Sequence, residues 1–329
     1  MPVVPSVGVV ITNFNNRPYV GAAIESAASQ TIRDIRVVVV DDASTDGSDE
    51  AIRGVLSRLN DPRFHYVRLE SNLGQAGAIR RGLADLSTPF VCFLDSDDYW
   101  YPEFVAQHLV AHMNADFPVA LAFCDSHIVD SSGRILAGTA WWFDANTIKP
   151  AHRVIDPAKV PDVRPDSGEV TYSAKRRMVL RTEWSLESGT NTMAGMMFRR
   201  SFVDLVLVPP DERIPLYVDF YLSTFAALLT GTIAIYDALY AYRMHGKNIH
   251  SNGQLHGGPY NSSKSDWRVI RNGILRLIQE IMQNDAESIR QAFGDYQYGL
   301  AKGLLDNALD PPTRTIRFRA RLRSFFPWL

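Results

Sequence analysis

The sequence has little cysteine and no long apolar run. Its two cysteines, Cys92 and Cys124, both lie in apolar stretches. Two such residues exclude a disulfide framework and a zinc site built from paired Cys-x-x-Cys motifs, so we interpret them as reduced core residues. A membrane-spanning helix needs about 18 or more consecutive apolar residues. The nearest candidate, 225–242, is interrupted by Gly231 and Asp237, which argues against a transmembrane segment.

The sequence also lacks a basic leader and an excess of positive charge. Its beginning, MPVVPSVGVVITNFN, has neither the basic region nor the cleavage site of a secretory signal. With 34 Lys and Arg against 36 Asp and Glu, the formal net charge is −2. A broad basic surface for nucleic acid is therefore excluded, and we expect a cytoplasmic protein with no nucleic-acid partner. A hydrophobic content of 46% over 329 residues is enough for a large core.

Strand and helix patterns alternate along the first part of the chain. Runs rich in β-branched residues predict strands at 7–12, 36–40, 64–69, 90–94 and 119–124. Apolar residues at helical spacing predict intervening helices at 18–30, 48–59, 74–86 and 101–113. Further on, the patterns predict strands at 191–200 and 232–242 and helices at 216–230, 267–281 and 285–309. This order predicts an α/β fold with a doubly wound, mostly parallel sheet, helices on both faces and a C-terminal helical appendage.

Glycine is missing where two classes of nucleotide-binding protein need it. The turn after the first predicted strand reads Thr12-Asn-Phe-Asn-Asn16. A dinucleotide-binding oxidoreductase requires G-x-G-x-x-G at this turn, so that class is excluded. A nucleotidyltransferase usually has a glycine-rich phosphate loop with a basic residue here, which argues against that class too.

Polar clusters follow three of the predicted strands: residues 12–15, 41–46 and 95–98. The carboxyl ends of parallel strands meet at one edge of the sheet, where ligands bind. Mg²⁺ and Mn²⁺ take oxygen ligands, commonly one or two carboxylates together with substrate phosphates. Asp95 and Asp97 therefore predict a metal ion with a diphosphate beyond it. The alternative is a group of capping carboxylates for the helix that starts near Tyr101, with Asp98 only a charge facing that helix.

Six segments together resemble a known family. They are VVITNFNNRPYV, VVVVDDASTDGS, NLGQAGAIRRG, FLDSDDYW, VDFYLSTFAALLTG and AYRMHGKNIHS. In order and spacing they resemble the family 2 glycosyltransferases with the GT-A fold, over roughly residues 6–250. Each motif is weak alone, whereas the ordered set is a strong signal.

The resemblance implies a nucleotide-sugar site at the sheet edge. Its implied residues are Thr12, Phe14, Asn15, Asp41, Asp42, Asn72, Arg80, Asp95 and Ser96. Phe14 would stack on the base, with plain core packing as the alternative. Asp41 would accept a hydrogen bond from a ring N–H of the base, while Asp42 and Asp46 more often serve the turn.

The resemblance also implies a metal site, a base and an acceptor side. Asp95, Asp97 and His245 would hold Mn²⁺ or Mg²⁺, and the alternative for His245 is a solvated loop histidine. Asp219 would be the catalytic base, and its alternative is a charge favoured by the helix N-terminus. The acceptor side would contain Thr192, Gly195 and Trp100.

Two positions depart from the family pattern. The chain has Val218 before Asp219 where the family usually has Glu. The carboxylate that would be the base, Asp219, is therefore present, whereas the neighbouring Glu is absent. It also has Ile79 and Arg80 where the family commonly has Arg and Asn. Arg80 or Arg81 could still reach a phosphate.

The resemblance implies an inverting glycosyltransferase that uses a nucleotide-sugar, most simply a UDP-sugar. The acceptor would be a hydroxyl of a saccharide or of a lipid-linked saccharide, in surface polysaccharide or glycolipid synthesis. The alternatives are a nucleotidyltransferase acting on sugar phosphates and a non-catalytic subunit that keeps the GT-A fold.

We expect a catalytic domain at 1–245 and a second region at 246–329. Residues 144–189, rich in proline and charge, form either a lid over the substrates or a solvated insertion. The composition of residues 250–265 predicts a mobile loop. The arginines and aromatic residues of 314–329 suit a peripheral contact with an anionic membrane; a subunit contact in a homo-oligomer and a frayed tail are the alternatives.

Overall fold

A computed structural model gives the structure of the protein. It describes residues 4–115, 117–138, 162–163, 170–171, 178–182, 184, 192–207, 217–245, 248 and 264–310. The tail 314–329, residues 250–263 of the loop predicted at 250–265 and most of 144–189 lie outside the described residues. Residues 264 and 265 of that predicted loop belong instead to a helix. The predictions of a lid, a mobile loop and a membrane contact therefore stay predictions.

Strands and helices alternate as the sequence predicts. The strands are β1 (Val7–Asn13), β2 (Ile35–Asp41), β3 (Phe64–Arg68), β4 (Phe90–Asp95), β5 (Tyr99–Trp100), β6 (Leu121–Asp130), β7 (Ile135–Ala137), β8 (Asp162–Val163), β9 (Val170–Thr171), β10 (Met178–Arg181), β11 (Met196–Arg199) and β12 (Thr232–Met244). The helices are α1 (Val20–Ala28), α2 (Ser48–Leu59), α3 (Gly74–Ala84), α4 (Phe104–Met113), α5 (Arg200–Val206), α6 (Val218–Thr230), α7 (Lys264–Asn284), α8 (Ala286–Phe293) and α9 (Asp295–Leu309).

The sheet is mixed and mostly parallel. Its main path runs β10-β12-β6-β11-β4-β1-β2-β3, and β5 and β7 pair with β12 and β6. β1 to β4 are mutually parallel, and β12 runs parallel to β6. β11 lies antiparallel between β4 and β6. The carboxyl ends of β1, β2, β4, β6 and β12 therefore face the same edge.

The valine runs form strands because both faces of the sheet are covered. In β1 and β2, Val10 and Val38 belong to one hydrophobic cluster, whereas Val9 and Val37 belong to the cluster on the opposite face. Successive side chains of a strand point to opposite faces, so a strand buried on both sides is apolar at nearly every position. Burial of these runs fixes where each strand ends, and hence where its polar residues start.

Three predicted boundaries are wrong. The helix expected from Tyr101 begins at Phe104, because Tyr99 and Trp100 form β5 and pair with β12. The strand expected at 191–200 is a single 3-10 turn, Met193–Gly195, followed by β11. The helix expected at 285–309 is two helices separated by Gly294, which has a φ of 86°.

The C-terminal helices pack on the body, as predicted. Leu275 and Ile278 of α7 and Leu305 of α9 are buried in the same hydrophobic cluster as Leu222 and Phe225 of α6. The helical region and the sheet region therefore share one core. Within the described residues, every helix is too short or too polar to cross a membrane.

Candidate active site

The strand register lines up the polar residues at the sheet edge. Thr12 of β1 lies beside Asp95 of β4, and Asn13 lies beside Asp41 of β2. Asp41 in turn lies beside Arg68 of β3. The polar residues near the ends of four neighbouring strands therefore form one row.

Asp41 has one carboxylate oxygen that makes no hydrogen bond to the described residues. The side chain is fully buried, and its Oδ1 accepts a hydrogen bond from Asn13 Nδ2 at 2.8 Å. Within the described part of the chain, Asp41 Oδ2 has no hydrogen-bond partner; Arg68 Nε is 3.5 Å away. A buried carboxylate oxygen without a donor is costly, and an N–H group of a bound base would satisfy it.

An open cleft of about 570 Å³ lies at the ends of β2 and β3. It is lined by Ala43, Ser44, Thr45, Arg68, Leu69 and Glu70. Arg68 also donates from Nη2 to Ser44 O at 3.1 Å, which fixes the wall of the cleft.

Phe14 is exposed, and Asn15 supports the turn beside it. Phe14 is 49% exposed, which excludes the core-packing alternative and leaves a ring face for stacking. Asn15 has a φ of 55°; its Oδ1 accepts from Thr45 N at 2.9 Å, and its own N–H donates to Ser44 Oγ. Asn15 therefore links the turn after β1 to the turn after β2.

Asp42 and Asn72 hold the turn that leads into α3. Asp42 Oδ1 accepts from Leu73 N at 2.7 Å, and Asn72 Oδ1 accepts from Gly74 N at 3.0 Å. Burial raises the pKa of Asp42, and the hydrogen bonds from Leu73 and Gly74 oppose that shift. Both residues belong to the scaffold of the site. Asp46 serves its turn as predicted, because it accepts from Arg17 N and Ser48 N.

Asp95 and Asp219 come close together although they are far apart in the sequence. Burial is the largest cause that raises the pKa of Asp95 to about 7, and the nearby carboxylates of Asp97 and Asp219 contribute to the same rise; a hydrogen bond from Gln75 Nε2 at 2.9 Å acts in the opposite direction. Burial also raises the pKa of Asp219, in the first turn of α6, whose Oδ1 accepts from Phe220 N at 2.7 Å. This concentration of negative charge is suited to binding a cation or to accepting a proton from a substrate.

Asp97 faces His245 across the end of β12. Asp97 Oδ2 lies 3.1 Å from His245 Nε2. The His245 side chain is 3% exposed, so the solvated-loop alternative is wrong. The residue's backbone is also held, since its N–H donates to Asn248 Oδ1 at 2.8 Å.

Asp98 is structural and not a charge facing a helix. It is buried, and its Oδ1 accepts from the backbone N–H of Arg243 at 2.9 Å. The neighbouring carboxylates and burial itself keep its pKa well above the usual range, with burial the larger cause. Because α4 begins at Phe104 and β5 intervenes, the helix-capping alternative for this acidic segment is also wrong.

Ser96 and Arg80 are engaged with the protein. Ser96 is buried; its N–H donates to Thr12 O and its hydroxyl accepts from Asn16 Nδ2. Arg80 Nη1 donates to Leu207 O at 3.2 Å, and Arg81 pairs with Asp85 one turn further on. The guanidinium groups thus contact the body of the protein in this structure.

The three residues expected on the acceptor side form a packed wall. Thr192 Oγ1 lies 2.8 Å from the hydroxyl of Tyr240. A Cβ at Gly195 would lie 2.7 Å from the ring of Tyr240, so only glycine fits there. Trp100 is 2% exposed and donates its indole N–H to Ala194 O, which leaves it no surface for an acceptor. Trp100 therefore supports this wall from inside.

Sequence reasoning missed Asn13, Tyr19, Gln75 and Arg243 as parts of the site. Gln75 holds Asp95, and Asn13 holds Asp41. Tyr19 and Arg243 surround the pair formed by Asp97 and His245. All four lie inside quoted motifs, so their position could have drawn attention. Nothing in the pattern around Gln75 indicates a contact with a strand end twenty residues later.

Comparisons with known proteins identify the family and the fold. The model of glycosyl transferase family 2 matches residues 8–204. The Escherichia coli UDP-Glc:alpha-D-GlcNAc-diphosphoundecaprenol beta-1,3-glucosyltransferase WfaP is 33% identical over 94 residues, which is 29% of this chain and 36% of that protein. The succinoglycan biosynthesis protein ExoO of Rhizobium meliloti is 35% identical over 100 residues, 30% of this chain and 28% of that protein. The matches thus span about a third of each relative's length.

The solved structures support the fold. S. aureus TarS 1–349 in complex with UDP-GlcNAc matches with a TM-score of 0.54 and 19% identity, covering 97% of this chain and 73% of that one. At this identity the match establishes the GT-A type of fold and nothing finer. The family model, in contrast, covers more than half of the chain and includes the ends of β1, β2 and β4, whereas Asp219 and His245 lie beyond the matched residues. The chain belongs to glycosyl transferase family 2.

Proposed function

We propose that the chain transfers a sugar, with inversion, from a nucleoside diphosphate donor to a hydroxyl of a saccharide or lipid-linked saccharide acceptor. One observation carries the proposal: the carboxylates of Asp97 and Asp219 both lie near the buried Asp95 at the sheet edge, where Asp41 Oδ2 is buried without a hydrogen bond to the described residues. A diphosphate donor needs cation binding at one end and base recognition at the other, and this edge offers both.

Asp41 and Phe14 suit the base of the donor. Asp41 Oδ2 would accept a ring N–H, and the exposed Phe14 would stack on the ring. Uridine is our proposal for the base, because the name of WfaP specifies UDP-Glc and TarS binds UDP-GlcNAc. We assign the product to surface polysaccharide or glycolipid synthesis by analogy with WfaP and ExoO.

Asp219 suits the general base. Inversion requires an acceptor hydroxyl to lose its proton as its oxygen attacks the anomeric carbon from the face opposite the leaving diphosphate. Because burial raises the pKa of Asp219, its carboxylate binds a proton more strongly than an ordinary aspartate.

Asp97 and His245 fit Mn²⁺ or Mg²⁺, with Asp95 behind them. Among the described residues, no three His, Cys, Asp or Glu side chains are grouped to hold a metal alone. The two facing donor atoms, Asp97 Oδ2 and His245 Nε2, match an ion that completes its coordination with the donor's phosphates. When bound there, the ion would neutralise charge on the departing diphosphate.

The test of this proposal is Asp219→Asn. Nucleoside diphosphate release would be measured with a panel of UDP-, GDP-, CDP- and dTDP-sugars and saccharide or lipid-linked acceptors. We expect the variant to lose transfer by at least about 100-fold and to bind the donor as the wild type does. Unchanged turnover would remove Asp219 as the base. If the wild type binds a nucleotide but turns over none of the donor and acceptor combinations, a non-catalytic subunit would be favoured.

A further inference from the structure

We propose that Tyr19 is a positioning residue for His245, and that its ring sets the affinity of the site for a divalent cation. The inference rests on the proposed function, since it assigns His245 to the cation site. Tyr19 is not a ligand itself. It acts by fixing the direction of His245 Nε2.

The two rings are stacked. The centroids of Tyr19 and His245 are 4.8 Å apart, and the ring planes differ by 21°. Stacking of this kind holds the imidazole ring in one plane. In the stacked orientation, Nε2 points to Asp97 Oδ2 at 3.1 Å. The stack therefore restricts the ring plane, and the contact with Asp97 sets the flip of the ring in which both donor atoms face one point.

Tyr19 is itself held firmly. It occupies the N-cap position of α1, and its N–H donates to Asn16 O at 3.0 Å. Its carbonyl accepts from Ala22 N and Ala23 N in the first turn. The ring thus belongs to the rigid start of a helix that follows β1, the strand carrying Thr12 and Asn13.

Arg243 also contacts the ring of Tyr19. Its guanidinium carbon lies 5.0 Å from the centroid of Tyr19 and 5.1 Å from that of Tyr99. Arg243 Nε donates to Asp97 O at 2.8 Å, and Nη1 donates to Ser131 O. One cation thus joins the tyrosine to the backbone of the loop that carries Asp97.

The stacking of Tyr19 on His245 links the ends of three strands of the sheet. His245 follows β12, Asp97 follows β4, and the ring that aligns them comes from the turn after β1. Partners that orient a metal-binding histidine commonly change metal affinity by about 10- to 100-fold when removed. We expect the same range for Tyr19, although its contact is a ring face and not a hydrogen bond.

The experiment is a Mn²⁺ titration, followed by electron paramagnetic resonance, of the full chain with saturating UDP. Tyr19→Leu removes the aromatic face, and Tyr19→Phe keeps it. We expect Tyr19→Leu to weaken Mn²⁺ binding by about 10-fold or more and Tyr19→Phe to bind as the wild type does. Thermal unfolding of each variant separates this effect from a general loss of stability. Tyr19→Met, which keeps the volume without a ring, replaces Tyr19→Leu if that variant does not fold.

Tyr99→Leu is the matched control, because Tyr99 contacts the same guanidinium from β5. We expect its Mn²⁺ affinity to stay within a factor of about three of the wild type. Equal losses in Tyr19→Leu and Tyr99→Leu would assign the effect to Arg243 and overturn the stacking role. Wild-type affinity in Tyr19→Leu would overturn this inference alone. Absence of Mn²⁺ binding by the wild type with UDP, GDP, CDP or dTDP would overturn the proposed function as well.

Discussion

At the scale of single residues, the site concentrates negative charge that the protein alone does not neutralise. The pKa of Asp95 rises from an ordinary 3.8 to about 7, mainly through burial. Between these two values the folded protein binds a proton at Asp95 that the unfolded chain has released. Stability contributed by this group is therefore present at low pH and lost as the pH rises through about 7.

Asp95→Asn should stabilise the protein at pH 8 when nucleotide and metal are absent. We expect a gain of about 1 kcal/mol or more at pH 8 and little change near pH 4, since the wild-type carboxyl is protonated there. Asn keeps an oxygen that can accept from Gln75. Thermal unfolding at both pH values checks this, with the exposed Asp310→Asn as control. Equal effects of Asp95→Asn at the two pH values would contradict the account.

The residues that were predictable are those at strand ends. Asp41, Asp95 and Asp97 follow apolar runs directly, and the edge of a parallel sheet is where ligands bind. Their supporting partners were not predictable. Gln75 reaches Asp95 from a helix, and Arg243 reaches Asp97 from a strand far along the chain. Such contacts depend on side-chain direction in three dimensions, and one sequence does not contain that information.

At the scale of elements, α3 is placed by close contact with β1. A Cβ at Gly82 would lie 2.4 Å from Val10 Cγ1. The missing side chain allows the helix to approach the strand, and the turn held by Asp42 then sets its start. Gln75, in the first turn of this helix, is thereby brought to Asp95.

Gly82→Ala should destabilise the protein, and Gly273→Ala should stabilise it. Gly82→Ala forces α3 away from Val10, at a cost of about 1–3 kcal/mol. Gly273 is exposed on α7 with open space at its Cβ position, so alanine there should gain about 0.5–1 kcal/mol through helix propensity. Urea unfolding of the two variants measures both effects. A gain in stability for Gly82→Ala would mean that α3 does not lie as close to Val10 as described.

The elements that the sequence did not predict are held by distant partners. β5 has two residues and no periodicity of its own; it forms because Tyr240 and Ala241 of β12 pair with it. β11 is antiparallel to its neighbours β4 and β6. The sequence of an apolar run does not indicate whether the strand pairs in a parallel or an antiparallel direction. The longer strands were predictable because burial on both faces requires uninterrupted apolar residues.

At the scale of the whole molecule, the sheet and the C-terminal helices share one core. Leu275 of α7 is fully buried in the cluster that also contains Phe225 of α6, the helix carrying Asp219. We propose that the regions 1–245 and 246–329 fold together and that α7 to α9 support the position of the base.

Leu275→Ala should lower the stability of the whole chain by about 2–5 kcal/mol, because it leaves a cavity in the shared core. Val269→Ala is the control, since Val269 lies on the same helix and is 73% exposed. Denaturant unfolding followed by circular dichroism and by fluorescence should give coincident transitions. A loss confined to one probe, with the other unmoved, would show two independent units.

The central claim is that the sheet edge binds a nucleoside diphosphate together with a divalent cation. Calorimetric titration of UDP, GDP, CDP and dTDP, with and without Mn²⁺, tests it most directly. We predict that one nucleotide, UDP, binds tightly only when Mn²⁺ is present. We also predict that Asp97→Ala loses this tight binding in the presence of Mn²⁺. Binding of none of the four nucleotides, or equal binding with and without Mn²⁺, would contradict it.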